Sequence, residues 1–198
     1  AEGSMNMDTF RNGDGKSILQ NYVNPIQDNK AYLGEVDGLI GDGDHGMNMN
    51  KGFTVFETRF ADKEFSFTDG LYELGTILLN EIGGSMGPIY GTILMEAGLN
   101  GLCGIVDARV GDKTLVDTLS PAADTLKKGA AEHAGFAETL EAMKEAAAAG
   151  RDSTREMTAK FGRSSRLGER SRGVLDAGAT SCCIILTAMA DGILEKLG

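Results

Sequence analysis

The stretch Cys182-Cys-Ile-Ile-Leu-Thr-Ala-Met-Ala-Asp-Gly-Ile-Leu-Glu-Lys-Leu197 repeats its apolar residues at Cys182, Ile185, Leu186, Met189, Ile193 and Leu197. Steps of three and four place such side chains on one face of an α-helix, whereas a half-buried strand would alternate. The same spacing recurs in Leu115, Leu119, Ala122 and Leu126, in Leu71, Leu74, Ile77, Leu78 and Ile82, and in Ile18, Leu19, Tyr22, Val23 and Ile26. Convincing alternation is absent, so the expected fold class is all-α. Pro25 interrupts its stripe and predicts a kink or a boundary there, because proline removes a helical hydrogen bond. Pro88 and Pro121 are expected near helix starts, and the run Ala146 to Ala149 is expected to be helical.

The chain has 28 glycines, too many for a plain bundle. They concentrate in Gly38 to Gly46, Gly83 to Gly91, Gly98 to Gly111 and Gly162 to Gly178, so helices alternate with glycine-bearing loops. Consecutive antiparallel helices return the chain to the same end at every second connection, and alternate loops then converge on one face. A binding site assembled from several loops is the natural consequence.

A chain of 198 residues suits one domain with a core of its own. The opening Ala-Glu-Gly-Ser reads as an expression scar over residues 1–4, leaving residues 5–198 as a single domain. The three cysteines, Cys103, Cys182 and Cys183, are odd in number with two adjacent, which argues against a disulfide framework. No uninterrupted apolar run reaches the roughly 20 residues of a membrane span, and no basic-then-apolar leader opens the chain. The expectation is a soluble, cytoplasmic protein. A net charge of −10 argues against nonspecific nucleic-acid binding, which depends on Lys and Arg neutralising phosphates. Any phosphate held here needs counter-charge from metal ions.

The segment Asp37-Gly-Leu-Ile-Gly-Asp42-Gly-Asp44-His45-Gly46 sets three carboxylates among glycines that permit sharp turns. Packed together without a cation, these charges would repel. The pattern points to Asp37, Asp42 and Asp44 as oxygen ligands for a hard divalent cation such as magnesium, with coordination positions left for phosphate oxygens. About four negative charges on a nucleoside triphosphate beside three carboxylates call for about two such ions. The blander reading is a solvated Asp-Gly turn. An EF-hand is excluded, since counting from Asp42 puts Gly46 and Phe53 where that loop needs an oxygen ligand and a glutamate. His45 fits either a phosphate or metal contact or a local hydrogen bond.

The run Gly41-Asp-Gly-Asp-His-Gly-Met-Asn-Met resembles the metal motif of the dihydroxyacetone kinase L subunit family. Gly83-Gly-Ser-Met-Gly-Pro-Ile-Tyr-Gly-Thr92 resembles that family's second glycine motif, Gly111-Asp-Lys-Thr114 a shorter block, and the segment from Gly162 to Ser181 its C-terminal motif. The resemblance runs in order from about Leu33 to the C-terminus. It implies an antiparallel barrel or bundle of about eight helices with a nucleotide site in loops at one end. It also implies magnesium with ATP or ADP, and a separate K subunit that holds the ketose.

Carried over by the resemblance, Asp37, Asp42 and Asp44 are the magnesium ligands. His45 and Asn48 lie beside the phosphates, as do Gly84 and Ser85, whose backbone N–H groups can hold phosphate oxygens at a helix start. Leu115 matches an apolar position near the base, and Asp176 and Gly178 the last nucleotide contact. Asp176 is also placed to cap the final helix. Arg163 is the candidate for stabilising phosphoryl oxygens, while Glu169 and Arg170 are expected to brace their loop by pairing. Thr92 is expected to face a neighbouring helix. The chain departs from the family at Ser85-Met86, Arg166, Val174 and Ala177. Between Tyr90 and Gly111 it is shorter by about twenty residues, enough for a helix or a long loop. Either that segment is lost or residues are missing at a break within Leu99 to Gly104, and the break is the expectation because deleting a barrel helix would expose its neighbours' apolar faces.

The function implied is transfer of phosphate to a triose or tetrose ketose, either from exchangeable ATP or from bound ADP recharged by a phosphotransferase-system protein. A homodimer is compatible with this arrangement. A different class of function, a nucleotide-dependent interaction subunit that regulates a transcription factor, predicts partner binding without ketose phosphorylation. A metal-stabilised scaffold predicts a response to magnesium but none to nucleotide.

Overall fold

The structure, a computed structural model, describes residues 12–82, 90 and 107–197. These residues form seven α-helices and three 3-10 segments, and no strand occurs among them. The helices are α1 (Gly15–Asp28), α2 (Lys30–Gly38), α3 (His45–Phe60), α4 (Phe67–Glu81), α5 (Val116–Ala131), α6 (Phe136–Ser153) and α7 (Ala177–Leu197). Gly84, Ser85, Met86, Pro88, Thr92, Cys103 and the suggested break within Leu99 to Gly104 lie outside the described residues.

The stripe of α1 is buried as its spacing requires, with Ile18, Leu19, Tyr22, Val23 and Ile26 almost wholly withdrawn from solvent. Pro25 does not break the helix where it stands. The helix ends three residues later at Asp28, and Asn29 closes it by donating both its backbone N–H (3.1 Å) and its side-chain amide (2.8 Å) to the Pro25 carbonyl. Pro121 lies inside α5 rather than at its start. Proline cannot donate to the Asp117 carbonyl one turn back, and α6 presses Gly150 against that carbonyl, where any side chain would collide. At α4 the start is conventional, because Ser66 accepts from the Asp69 N–H at 3.2 Å and its hydroxyl donates to the Asp69 carboxylate at 2.6 Å.

Helix α1 packs against α3, α4 and α7, while α5 and α6 form a hairpin whose second arm lies on α7. Short links such as 61–66 and 132–135 make successive helices antiparallel neighbours. Tyr22, Phe53, Phe56 and Tyr90 are the bulkiest buried side chains of the main core. At its rim Phe56, Phe60 and Phe65 meet with centroids 5.0 to 5.8 Å apart.

Helix α7 corrects one detail of the sequence reading. It is apolar nearly all round, and its most deeply buried residues include the small ones, Ala179, Ser181, Cys183, Ala190 and Gly192. Ile185, Leu186 and Met189 are only partly covered. Small side chains sit where neighbouring helices approach closest, so periodicity alone did not fix the buried face. By length and composition α7 could cross a bilayer, with a mean hydropathy of 1.6 in its most apolar window, yet 56% of that window is buried among the other helices. It is the core helix of the bundle.

Candidate metal and phosphate site

Three loops meet at one end of the bundle: 39–44 between α2 and α3, 107–115 before α5, and 157–176 before α7. The first holds the acidic motif. Gly41 donates its N–H to the Asp37 carbonyl at 2.5 Å, and Gly43 turns the chain back at φ +76°. Helix α3 then lies so close on α2 that Gly46 faces the Lys30 carbonyl with no room for a side chain. The turn brings carboxylate oxygens of Asp37, Asp42 and Asp44 within 4.8 Å of one another.

Their hydrogen-bonding capacity is largely open. Asp44 occupies the N-cap of α3 but makes no side-chain cap bond, and Asp37 accepts one long bond, 3.3 Å, from the His45 N–H. Arg163 is an ion-pair partner of Asp42. Asp42 and Asp44 are exposed. Hard oxygen donors this close suit a cation that binds oxygen at about 2.1 Å in octahedral geometry, so the donor set fits magnesium.

The facing loop is built differently. Asp117, 1% exposed, accepts from the Gly111 N–H at 2.5 Å and the Thr114 N–H at 2.7 Å. Asp112 accepts from the Arg109 N–H at 2.8 Å and from Lys160 Nζ at 2.5 Å. The Lys160 bond, more than the backbone one, holds the Asp112 carboxyl below its usual range. Between them Lys113 adopts φ +61° and runs inward, donating to the Thr154 carbonyl at 2.8 Å and the Val174 carbonyl at 2.6 Å. Desolvation lowers the Lys113 ammonium from its ordinary value. This lysine ties the end of α6 to the segment entering α7.

At the start of α7 Asp176 caps the helix as the sequence suggested. Its carboxylate accepts from the Ala179 N–H at 2.8 Å, and its own N–H donates to Thr154 Oγ1 at 3.0 Å. Desolvation pushes the carboxyl up to about 6. Arg163 opens the 3-10 segment Arg163–Ser171, which is pinned by Ser171. That hydroxyl accepts from the Ala159 N–H and donates to the Gly168 carbonyl. Glu169 braces this loop, but by pairing with Arg172 at 3.4 Å and accepting from Thr158 at 3.1 Å, rather than with Arg170. The departing residues Arg166 and Val174 stand on this loop, exposed and half-buried respectively.

His45 is buried, and desolvation pushes its imidazole down to about 4. Its Nε2 lies 2.9 Å from Ser181 Oγ, which lies 2.5 Å from the Tyr90 hydroxyl. Burial, chiefly, raises the Tyr90 phenol well above its ordinary value.

These walls enclose a cavity of about 290 Å³. Asp37, Asp42, Asp44, His45, Asn48, Leu115, Arg163, Asp176 and Gly178 all line it, so the structure brings together every described residue that the sequence singled out for the site. Leu115 is both wall and core, because it is buried in a small cluster with Val116, Leu119 and Cys182. Sequence reasoning did not single out Lys113, Tyr90, Phe161 or Ser181. Lys113, Tyr90 and Ser181 stood inside the quoted motifs.

Residues 39–104 and 95–191 match the DAK2 domain. The chain is 34% identical over 183 residues to "PEP-dependent dihydroxyacetone kinase, ADP-binding subunit DhaL" of Escherichia coli (strain K12), covering 80% of this chain and 86% of that protein. It is 32% identical over 192 residues to "PEP-dependent dihydroxyacetone kinase 1, ADP-binding subunit DhaL" of Listeria innocua serovar 6a, covering 86% of this chain and 91% of that protein. Among solved structures it superposes with a TM-score of 0.68 on the dihydroxyacetone kinase from C. freundii in complex with AMP-PNP and Mg2+. That match is 20% identical and covers 96% of this chain but 36% of the solved one, so it speaks for the all-helical fold alone.

Proposed function

Because this chain belongs to the DAK2 domain family, we propose that it is the nucleotide-binding, phosphoryl-donating subunit of a two-part kinase for a small ketose such as dihydroxyacetone. The observation that carries this reading is the convergence of three open carboxylates within 4.8 Å on a cavity whose other walls hold an arginine and a helix start.

In this reading Asp37, Asp42 and Asp44 hold magnesium, as two ions. Bound there, the cations offset the charge of the nucleotide phosphates and stabilise charge that develops during transfer. The chain's own residues do the positioning. Arg163 offers a permanently charged planar donor set to phosphoryl oxygens. Asn48 contributes amide hydrogens, and the first N–H groups of α7 around Gly178 favour an anion electrostatically. Gly84 and Ser85 belong to the phosphate loop by resemblance. Leu115 supplies an apolar surface for the base, and Asp176 fixes the end of α7 that faces the ligand.

The names of the E. coli and Listeria relatives favour one of the two donor schemes. Those proteins are described as PEP-dependent and ADP-binding, which supports a nucleotide that stays bound and is recharged by a phosphotransferase-system protein in the cytoplasm. The ketose would sit on a separate K subunit. Reconstitution tests this: the chain, a ketose-binding subunit, magnesium, ADP and a phosphoenolpyruvate-fed phosphotransferase system are mixed with dihydroxyacetone. Ketose phosphate should form only when both subunits are present. Nucleotide binding with no transfer in the complete mixture would overturn the reading.

A further inference from the structure

The hydrogens available around His45 constrain its ring. Tyr90 and Ser181 carry one hydroxyl hydrogen each. One of these must lie in the 2.5 Å contact between the two oxygens. The other is drawn to the Gly178 carbonyl, which Tyr90 reaches at 3.0 Å and Ser181 at 3.1 Å. Neither is then left for the 2.9 Å contact between Ser181 Oγ and His45 Nε2. With the hydroxyl hydrogens so placed, the ring supplies that hydrogen itself.

We propose that Ser181, backed by Tyr90, is a positioning residue that locks His45 in its Nε2–H tautomer, so that the only polar atom the ring can offer a ligand is the lone pair of Nδ1. The consequence for the site is specific. A neutral imidazole with its N–H engaged cannot donate to a phosphate oxygen, which has only lone pairs to offer. Within the nucleotide-site reading, on which this consequence rests, His45 accepts a hydrogen bond from a water or hydroxyl of the bound ligand. Phosphate is left to Arg163, Asn48 and backbone N–H groups. Tautomer choice by the second ring nitrogen's partner is a general device, and here the partner is a buried hydroxyl pair: Ser181 is 0% exposed and Tyr90 4%.

The chain has two histidines, so His133→Asn, at an exposed position with φ +53° that asparagine tolerates, leaves His45 as the sole imidazole. Nitrogen-15 NMR of this full-length variant at neutral pH reads the tautomer directly. Nε2 should appear pyrrole-like and Nδ1 pyridine-like. Adding Ser181→Ala should release the ring into a mixture in which the Nδ1–H form reaches a comparable population. Tyr90→Phe leaves the Ser181 hydrogen to divide between the Gly178 carbonyl and Nε2, so the Nδ1–H form should rise above its level in the parent with the serine still in place. On addition of magnesium and ADP the Nδ1 signal should move while Nε2 keeps its proton. A proton on Nδ1 in the parent, or a tautomer unchanged in both variants, would overturn the proposal. An Nε2–H ring that never responds to magnesium and ADP would instead count against the nucleotide-site reading and leave the lock standing.

Discussion

Two loops of this protein are made of the same residues, aspartate and glycine, and end up with opposite chemistry. In loop 107–117 the carboxylates of Asp112 and Asp117 are saturated by backbone N–H groups of their own loop and by Lys160. In loop 37–44 the carboxylates of Asp37, Asp42 and Asp44 converge with one long backbone bond and one arginine between them. A saturated carboxylate organises a backbone, and an open cluster calls for a cation. Composition does not separate the two loops. Hydrogen-bond accounting does.

The largest effect should come from breaking the saturated loop. Asp117→Ala leaves the Gly111 and Thr114 N–H groups without their acceptor, at about 1–3 kcal/mol each. We expect the ligand-free protein to lose about 3 kcal/mol or more in urea unfolding. A loss below about 1 kcal/mol would mean that water replaces the carboxylate freely.

The open loop should behave in the reverse way. Asp42→Ala with Asp44→Ala should leave ligand-free stability unchanged or raise it slightly, since repelling charges are removed. It should abolish the gain from magnesium and ADP, which for a wild-type site at one hundred times its Kd is about 2.7 kcal/mol. Thermal unfolding with and without both ligands reads this.

A third pair of variants uses pH to test the floor of the cavity. His45 titrates at about 4 when folded against about 6.5 when unfolded, so the unfolded chain takes up the extra proton. Stability then falls as pH drops through that window, by about 2 kcal/mol between pH 7 and 5. Asp176 titrates at about 6 when folded against about 3.9 when unfolded. The folded chain takes up the proton, and stability rises by about 1 kcal/mol over the same interval. In chelator, His45→Asn should therefore flatten the acid loss and Asp176→Asn should steepen it. The same change of slope in both variants would refute these assignments.

The smallest effect belongs to Lys160→Met. Its partner Asp112 keeps the Arg109 N–H, and the lysine itself is largely exposed. A loss under about 1 kcal/mol is expected.

Much of this was legible before any coordinates. Stripes such as Ile18 to Ile26 fixed α1 and its buried face, because an amphipathic helix can turn only one side inward. The metal motif declared itself through three carboxylates crowded among glycines, charges that would repel one another without a cation. Periodicity failed at α7, where apolar residues run all round and tight packing against neighbours selected the small ones. It failed at Pro121 too, whose cost depends on a carbonyl that Gly150 of another helix covers. The hydroxyl pair behind His45 was out of reach because it joins residues 91 and 136 positions apart.

The central claim is that the open carboxylates bind a cation and that the cation binds the nucleotide. Calorimetric titration of ADP into the protein tests it most directly, once with magnesium and once in chelator. The account predicts saturable binding with magnesium and at least a hundredfold weaker binding without it, a difference of about 2.7 kcal/mol. Equal affinity in chelator would contradict it, because the phosphates would then be held by the protein alone.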